Sequence, residues 1–338
     1  MAVTIQDVAK LAGVTNGTVS RAFNGYSDIL PETKQRIVEA ADKLGYVPNV
    51  SARSLAAKRP PNIGLIIYGL LENNRKDNMM YQQLQGVLTY TTEHHLELAL
   101  YSSDSMTQRR ESYTEFCRQH NISGTIISGV TDDDVYFKEL IRSDIPCVTL
   151  DVPVSTPKSG WISIDSRAAA REVIERLLGM GHRDLMIVAG KKNTAVNTVR
   201  MRGVQDALDA AGLQIAGRDY IFCDFSEDLA CRGMRGRIKS GEKLPTAVFC
   251  FSDIMALGVM RALREAGIRV PEDVSVIGFD DQHLCEVTVP TLSSVHQDMR
   301  VNGYEAAAML HGLMEGTGEG GHRLMPHRIV LRDSVRAI

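Results

Sequence analysis

Asn16, Gly17, Ser20 and Arg21 lie within one short stretch, "TNGTVSRAF", and the chemistry they suit is recognition, not bond-making. Asn pairs a donor with an acceptor, Ser carries a hydroxyl that does both, and Arg presents a planar fork of donors. On a helix turning about 100° per residue, these four fan across one side while Thr18, Val19 and Ala22 turn inward. Such a thin polar ridge fits a DNA major groove, where Arg reaches a guanine edge or a phosphate and Asn an adenine edge. A second set marks the ends of apolar runs: Tyr68, Asp151, Phe225, Ser252 and Asp280, with Arg200 opening "RMRGVQDAL". Carboxylates, an Arg and a few aromatics around one cleft suit a neutral polyhydroxylated ligand, whose hydroxyls both donate and accept.

The first set needs two short helices. Thr4 caps the first, with Asp7 in capping-box position and Ile5, Val8, Ala9 and Ala12 on one face. Gly13 permits a tight exit, and Thr15 caps the second helix after a brief turn. Helices so joined cross steeply, as in a helix-turn-helix, although a small helical hairpin with a solvated face has the same pattern. "LPETKQRIVEAADKLGY" reads as a third helix, with Pro31 in its first turn, a stripe of Ile37, Ala41 and Leu44, and Gly45 at its end. In "VPNVSARSLAAKRPP", Val50 to Ala56 spans one or two turns, too short a helix to persist alone in water.

The second set needs alternating strands and helices. "NIGLIIYG", "LELALYS", "SGTIISG" and "IPCVTLD" read as buried strands with amphipathic segments such as "YQQLQGVLTYTTEHH" between them; "GWISID", "DLMIVAG", "DYIFCDF", "TAVFCFS" and "VSVIGFD" repeat the alternation. A loose internal repeat ("IGLIIYG" to "QGVLTY", "LMIVAG" to "RGVQDAL") indicates two similar halves, with ligands collecting at the carboxyl ends of the strands between them.

Composition sets the frame. At 338 residues, 44% hydrophobic and 23% charged, the chain suits two or three globular domains. It has neither a membrane-length apolar run nor a signal-peptide pattern, so a cytoplasmic protein is expected. Residues 1 to 59 carry eight Lys or Arg against five Asp or Glu, a net +3 within a chain of net −3, which leaves −6 on the remainder. A basic module on an acidic body points to a polyanion partner for the module. The six scattered cysteines, with no C-x-x-C pair, read as reduced buried thiols.

"TIQDVAKLAGVTNGTVSRAFNG", "LGYVPNVSARSL" and "VPEDVSVIGFDD" together resemble the LacI/GalR (lactose-repressor) transcription regulators nearly end to end. The resemblance implies an α-helical helix-turn-helix DNA-binding domain (1–48), a hinge helix and linker (49–61), and an α/β bilobed, periplasmic-binding-protein-like domain (62–338). The last comprises two Rossmann-like subdomains, about 62–160 and 161–290, with crossovers after 290. It implies DNA contacts at Thr4, Thr15, Asn16, Gly17, Ser20, Arg21, Asn24, Ala52, Arg53 and Leu55, with Leu55 wedging a central base step in the minor groove. It implies effector contacts at Arg200 and Asp280, then Asp151, alongside Tyr68, Phe225 and Ser252. The expected function is a ligand-responsive repressor of carbohydrate-related genes, acting as a homodimer on a pseudo-palindromic double-stranded operator. A solute-binding protein of a transport system is the alternative.

Four departures from the family pattern bear on this. Gly17 offers no side chain at a base-reading position, and Leu30 stands where a capping Ser is usual. Asp77-Asn78-Met79-Met80 replaces an aromatic wall, and Ser252 replaces an Asn, so a sugar is the first effector class and another polar metabolite the second. "GTGEGG" follows a helix instead of a strand and reads as a flexible loop, not a dinucleotide fingerprint. His94-His95 and Asp132-Asp133-Asp134 read as solvated, Trp161 as packing, and Asp280-Asp281 lacks any catalytic partner. No metal, cofactor or enzymatic activity is expected. The absence of a heptad tail after "HRIVLRDSVRAI" favours a dimer; effector identity, its direction of action, the operator and any phosphocarrier co-effector are left open.

Overall fold

The computed structural model describes residues 3–23, 29–46, 62–68, 79–103, 111–130, 134–154, 156–192 and 194–338. They fall into two compact units, Met1–Asn62 and Ile63–Ile338. In the first, α1 (Ile5–Ala12), α2 (Asn16–Phe23) and α3 (Pro31–Leu44) bury Val8, Ala9, Ala12, Val19, Ala22, Ile37, Ala40 and Ala41 against one another. The Asp7 carboxylate accepts from the Thr4 backbone N–H at 2.8 Å and from its hydroxyl at 2.7 Å, which fixes the start of α1. Leu30 precedes α3 without any side-chain cap and is 70% exposed. Leu30→Ser supplies the missing acceptor, and we expect it to slow amide exchange in the first turn of α3 and stabilise the unit by about 1 kcal/mol. Unchanged exchange there sinks the capping argument.

The second unit has two lobes. In the first lobe the strands are β1 (Asn62–Tyr68), β2 (Glu97–Ser103), β3 (Gly124–Ser128), β4 (Cys147–Leu150) and β5 (Ser159–Ile164). Between them lie α4 (Met79–Glu93), α5 (Tyr113–Gln119) and α6 (Val135–Leu140). The second lobe carries α7 (Ser166–Gly179), β6 (Leu185–Ala189), α8 (Ala195–Ala210), β7 (Tyr220–Phe222), α9 (Glu227–Lys239) and β8 (Ala247–Cys250). It continues with α10 (Asp253–Glu265), β9 (Ser275–Ile277) and α11 (Leu284–Val287). The closing elements are β10 (Ser294–Gln297), α12 (Met299–Glu315), β11 (His322–Met325) and β12 (His327–Val330).

The first sheet runs β11-β5-β4-β3-β1-β2 and the second β7-β6-β8-β9, and every ladder of the second is parallel. Strands β3, β4, β6 and β8 are buried along their whole length, as parallel strands covered on both faces must be. The expected division near residue 160 falls inside β5, which pairs with β4 and so belongs to the first lobe. The first lobe also takes back β11, which pairs with β5. Strand β10 instead lies beside β9 through the Ile277–Ser293 and Asp280–His296 bridges and pairs antiparallel with β12. The chain therefore crosses between the lobes three times: after β5, between β10 and α12, and between β11 and β12.

Helices pack in pairs: α4 on α12, α7 on α8, α9 on α10. Each pair closes on a glycine. A Cβ at Gly86 or Gly303 would collide with the Arg300 or Gln83 carbonyl oxygen, one at Gly203 with that of Arg167, and one at Gly258 with that of Glu227. The repeated "QGV" and "RGV" of the sequence thus mark helix crossings. The "GTGEGG" segment is packed and not free: Trp161 donates its N–H to Gly321 O at 2.9 Å, and any Cβ at Gly320 would strike the Thr156 carbonyl. All six cysteines are buried and unpaired.

Candidate functional site

Two sites are built, one in each unit. In the first, the Thr15 hydroxyl accepts the Thr18 N–H at 3.2 Å and contacts the Thr18 hydroxyl at 2.9 Å, so the cap turns Thr18 inward and frees the next face. Val19 is fully buried and Ala22 nearly so. Thr4, Thr15, Asn16, Gly17 and Arg21 are exposed, and Ser20 is half-buried. The Thr4 hydroxyl and N–H hold the Asp7 carboxyl below its usual range, so that charge is present at neutral pH beside the start of α1. A Cβ at Gly17 would meet only the Thr15 hydroxyl at 3.7 Å, an ordinary contact. The fold therefore does not demand a glycine there. Asn24, Ala52, Arg53 and Leu55 lie outside the described residues.

In the second unit the strand ends converge as their spacing implies. Arg200, on the first turns of α8, is 5% exposed, stacks over the Phe279 ring at 3.5 Å from its centroid, and donates to the Phe251 carbonyl. Its Nη2 lies 3.8 Å from Asp280 Oδ1. Asp280 (φ 108°) is pinned by its N–H to Val295 O at 2.9 Å and by the Gln297 amide at 2.7 Å. In the first lobe Asp151 (φ 65°) accepts from the Ser163 hydroxyl at 2.7 Å. Burial pushes its carboxyl up, against the pull of Ser163 and of Arg200 in the other lobe. Burial likewise pushes the Arg200 guanidinium down, against Asp280, Asp151 and Asp253. Carboxylates from both lobes thus act on one buried cation.

The other three expected contacts, Tyr68, Ser252 and Phe225, also stand at strand ends. Tyr68 ends β1 but turns into the core of Tyr113, Tyr136 and Val130, where burial pushes its phenol up. Ser252 spends its hydroxyl capping α10, accepting the Met255 N–H at 3.3 Å. Phe225 (φ 57°) is 37% exposed and lays its ring directly on Gly190, at the carboxyl end of β6, where no other residue leaves room for it. Asp281 carries no chemistry of its own: it is paired with Arg332 at 2.6 Å and His296 at 3.0 Å.

Sequence reading puts Asp253 at a strand end without a role and passes over Gln297. Asp253, fully buried, accepts from Ser294 Oγ at 2.5 Å and from the Gln282 N–H at 2.8 Å, tying α10 to the loop that carries Asp280. Burial pushes its carboxyl up to about 7 against those hydrogen bonds. Gln297 orients Asp280 from the end of β10; its place as the last residue of the strand "SVHQ" was the available signal. Among the described residues no cluster of three His, Cys, Asp or Glu could hold a metal, and no helix is long and apolar enough to cross a membrane.

Residues 4–49 match the family described as bacterial regulatory proteins, lacI family, and residues 174–335 match a periplasmic binding protein-like domain. The HTH-type transcriptional regulator CelR of Thermobifida fusca is 31% identical over 98% of this chain and 98% of its own. A solved CelR–cellobiose complex superposes with a TM-score of 0.74 at 28% identity, covering 98% of this chain and 99% of that one. The lac repressor dimer bound to operator and the anti-inducer ONPF superposes at 0.87 with 27% identity, covering 100% of both chains.

Proposed function

From the premise that the chain belongs to the lacI family of effector-responsive, DNA-binding transcriptional regulators, which are not enzymes, we propose that it represses carbohydrate-related genes as a homodimer whose effector is a neutral polyol, a sugar first. The observation that carries the ligand reading is the buried Arg200–Asp280 pair, 3.8 Å apart, with the charge of Arg200 felt by Asp151 in the other lobe. A ligand bound there bridges the lobes and so favours one relative arrangement of them. The operator is read by Asn16, Ser20 and Arg21 in the major groove, with Thr4 and Thr15 on the backbone and Gly17 leaving its base pair weakly specified. Residues 49–61 form the hinge, with Leu55 as the minor-groove wedge beside Ala52 and Arg53, and Asn24 adds a contact at the end of α2. Effector and operator affinities are reciprocally coupled.

The test is selection of random duplex DNA by the full-length protein without ligand, followed by salt titration of the enriched duplex. A palindrome with a deformable central step is expected, with affinity falling steeply as salt rises. Arg21→Ala should cost about 1–3 kcal/mol and relax specificity at one base pair in each half-site. A uniform loss across all sequences would reassign Arg21 to phosphate. Failure to enrich a palindrome in the absence of ligand, but success with added sugar, would make the effector a co-repressor.

A further inference from the structure

The loop after β9 takes a backbone form that residues with side chains avoid. Asp280 and Asp281 follow one another, and both are left-handed, at φ 108° and 53°. Such a backbone persists only where its surroundings hold it. Its main chain is held by single bonds: Asp280 N–H to Val295 O at 2.9 Å, Asp281 N–H to Ser294 Oγ at 3.1 Å, and Gln282 N–H to Asp253 Oδ2 at 2.8 Å. The strongest grip is on a side chain. Arg332, just past β12, donates from Nη1 to Asp281 Oδ1 at 2.6 Å and to the Leu292 carbonyl at 2.8 Å. The two side chains are 15% and 6% exposed, so solvent does little to weaken this charged bond. His296 Nδ1 stands 3.0 Å from the other Asp281 oxygen. Arg332 is itself fixed: its N–H donates to Ser293 Oγ at 2.8 Å, and Asp333 accepts from the Thr291 hydroxyl at 2.7 Å. Ser334 donates from N–H to Thr291 O at 3.0 Å and from Oγ to Val276 O at 2.6 Å. The guanidinium thus reaches Asp281 from a base tied to β9 and to the segment before β10.

Resting on the reading that Asp280 faces the effector, we infer that Arg332 is a positioning residue for it: the grip on Asp281 holds the Asp280–Asp281 turn left-handed. Arg332 itself touches no ligand. Asp280 receives the Gln297 amide at 2.7 Å and lies 3.8 Å from Arg200, and both relations depend on that turn. Without the grip the turn relaxes to negative φ, and Asp280 leaves Gln297 and Arg200. Glycine tests this separately, since it adopts positive φ without steric cost. At position 281 glycine keeps the turn with no grip, whereas alanine releases it. A pair that served only to neutralise Asp281 would draw no such distinction, because both substitutions remove the carboxylate.

The test uses full-length protein, with ligand-free crystals and calorimetric titration with cellobiose, the sugar of the solved CelR complex. In the crystals, Asp281→Ala and Arg332→Met should each lose the positive φ at 281 and the Gln297–Asp280 bond. Each should bind cellobiose at least about tenfold more weakly than the wild type, equivalent to ~1.4 kcal/mol. Asp281→Gly, alone or combined with Arg332→Met, should keep the turn and stay within about threefold of the wild-type affinity. If Arg332→Met does not fold, the Ala and Gly variants at 281 decide the matter by themselves. An unchanged turn in Asp281→Ala, or equal affinities of the Ala and Gly variants, would leave Arg332 a mere charge partner and overturn the inference. Arg200→Ala separates the two levels. If it binds cellobiose as the wild type does, the cleft reading fails, and the ligand-free crystals still decide the clamp. A wild type that binds no cellobiose removes that sugar as effector, with the same crystals deciding the clamp.

Discussion

Arg200→Ala abolishes the response of operator binding to ligand: this is the largest functional effect expected of a single substitution. The guanidinium is buried, stacked on Phe279, bonded to the Phe251 carbonyl and placed between Asp280 and Asp151. Removing it leaves carboxylates in a low-dielectric site without their counter-charge, a change that costs about 3–5 kcal/mol for a buried pair. Ligand affinity should separately fall by about ten- to a hundredfold, because the ligand loses a charge-assisted hydrogen bond worth about 1.5–3 kcal/mol. Operator binding should survive because the reading helices have a core of their own in a separate unit. Arg200→Lys keeps the charge but loses the planar fork and the stacking, so it should rescue stability more than ligand affinity. The checks are calorimetric titration with the favoured sugar and operator competition with increasing sugar. A sugar response of operator binding that matches the wild type would refute the assignment of Arg200.

The largest effect on stability is expected at Gly86. A methyl group there overlaps the Arg300 carbonyl oxygen of α12, a main-chain atom that cannot rotate aside, so α4 and α12 must move apart. Reciprocally, Gly303 faces the Gln83 carbonyl, so the same crossing is tight from both sides. Helix propensity alone would make Gly86→Ala stabilising by about 1 kcal/mol. Packing reverses the sign, and we expect a loss of about 4 kcal/mol or more, at the exceptional end for one substitution. Gly236→Ala in α9 is the control. A Cβ there meets nothing within 4 Å, so propensity alone acts and the protein should gain about 1 kcal/mol. Denaturant unfolding of both variants decides the matter. Equal gains in both would show that the α4–α12 crossing can relax.

The sequence by itself determined what rests on local and periodic physics. Thr4 with Asp7, Thr15, Gly13 and Gly45 delimit helices through bonds a few residues long, and all four act as their types require. The exposed face of Asn16, Gly17 and Arg21 follows from the period of one helix. The uncapped Leu30 was legible for the same reason. Arg200 and Asp280 could be found because parallel strands bring their carboxyl ends together whatever the order of the sheet.

Only the tertiary structure decided which lobe β5 and β11 join, since parallel pairing is a contact between distant segments and leaves no local mark. It turned Tyr68 into the core and spent Ser252 on a helix cap: alternation along a strand gives the side of each residue, not what covers that side. It also gave the glycines of "QGV" and "RGV" their reason. A glycine demanded by a neighbouring backbone and one that merely fills a surface turn are the same letter, and only the partner helix distinguishes them. The grip of Arg332 on Asp281 belongs with these, because it joins residues far apart in the chain, and the left-handed backbone it holds has no letter of its own.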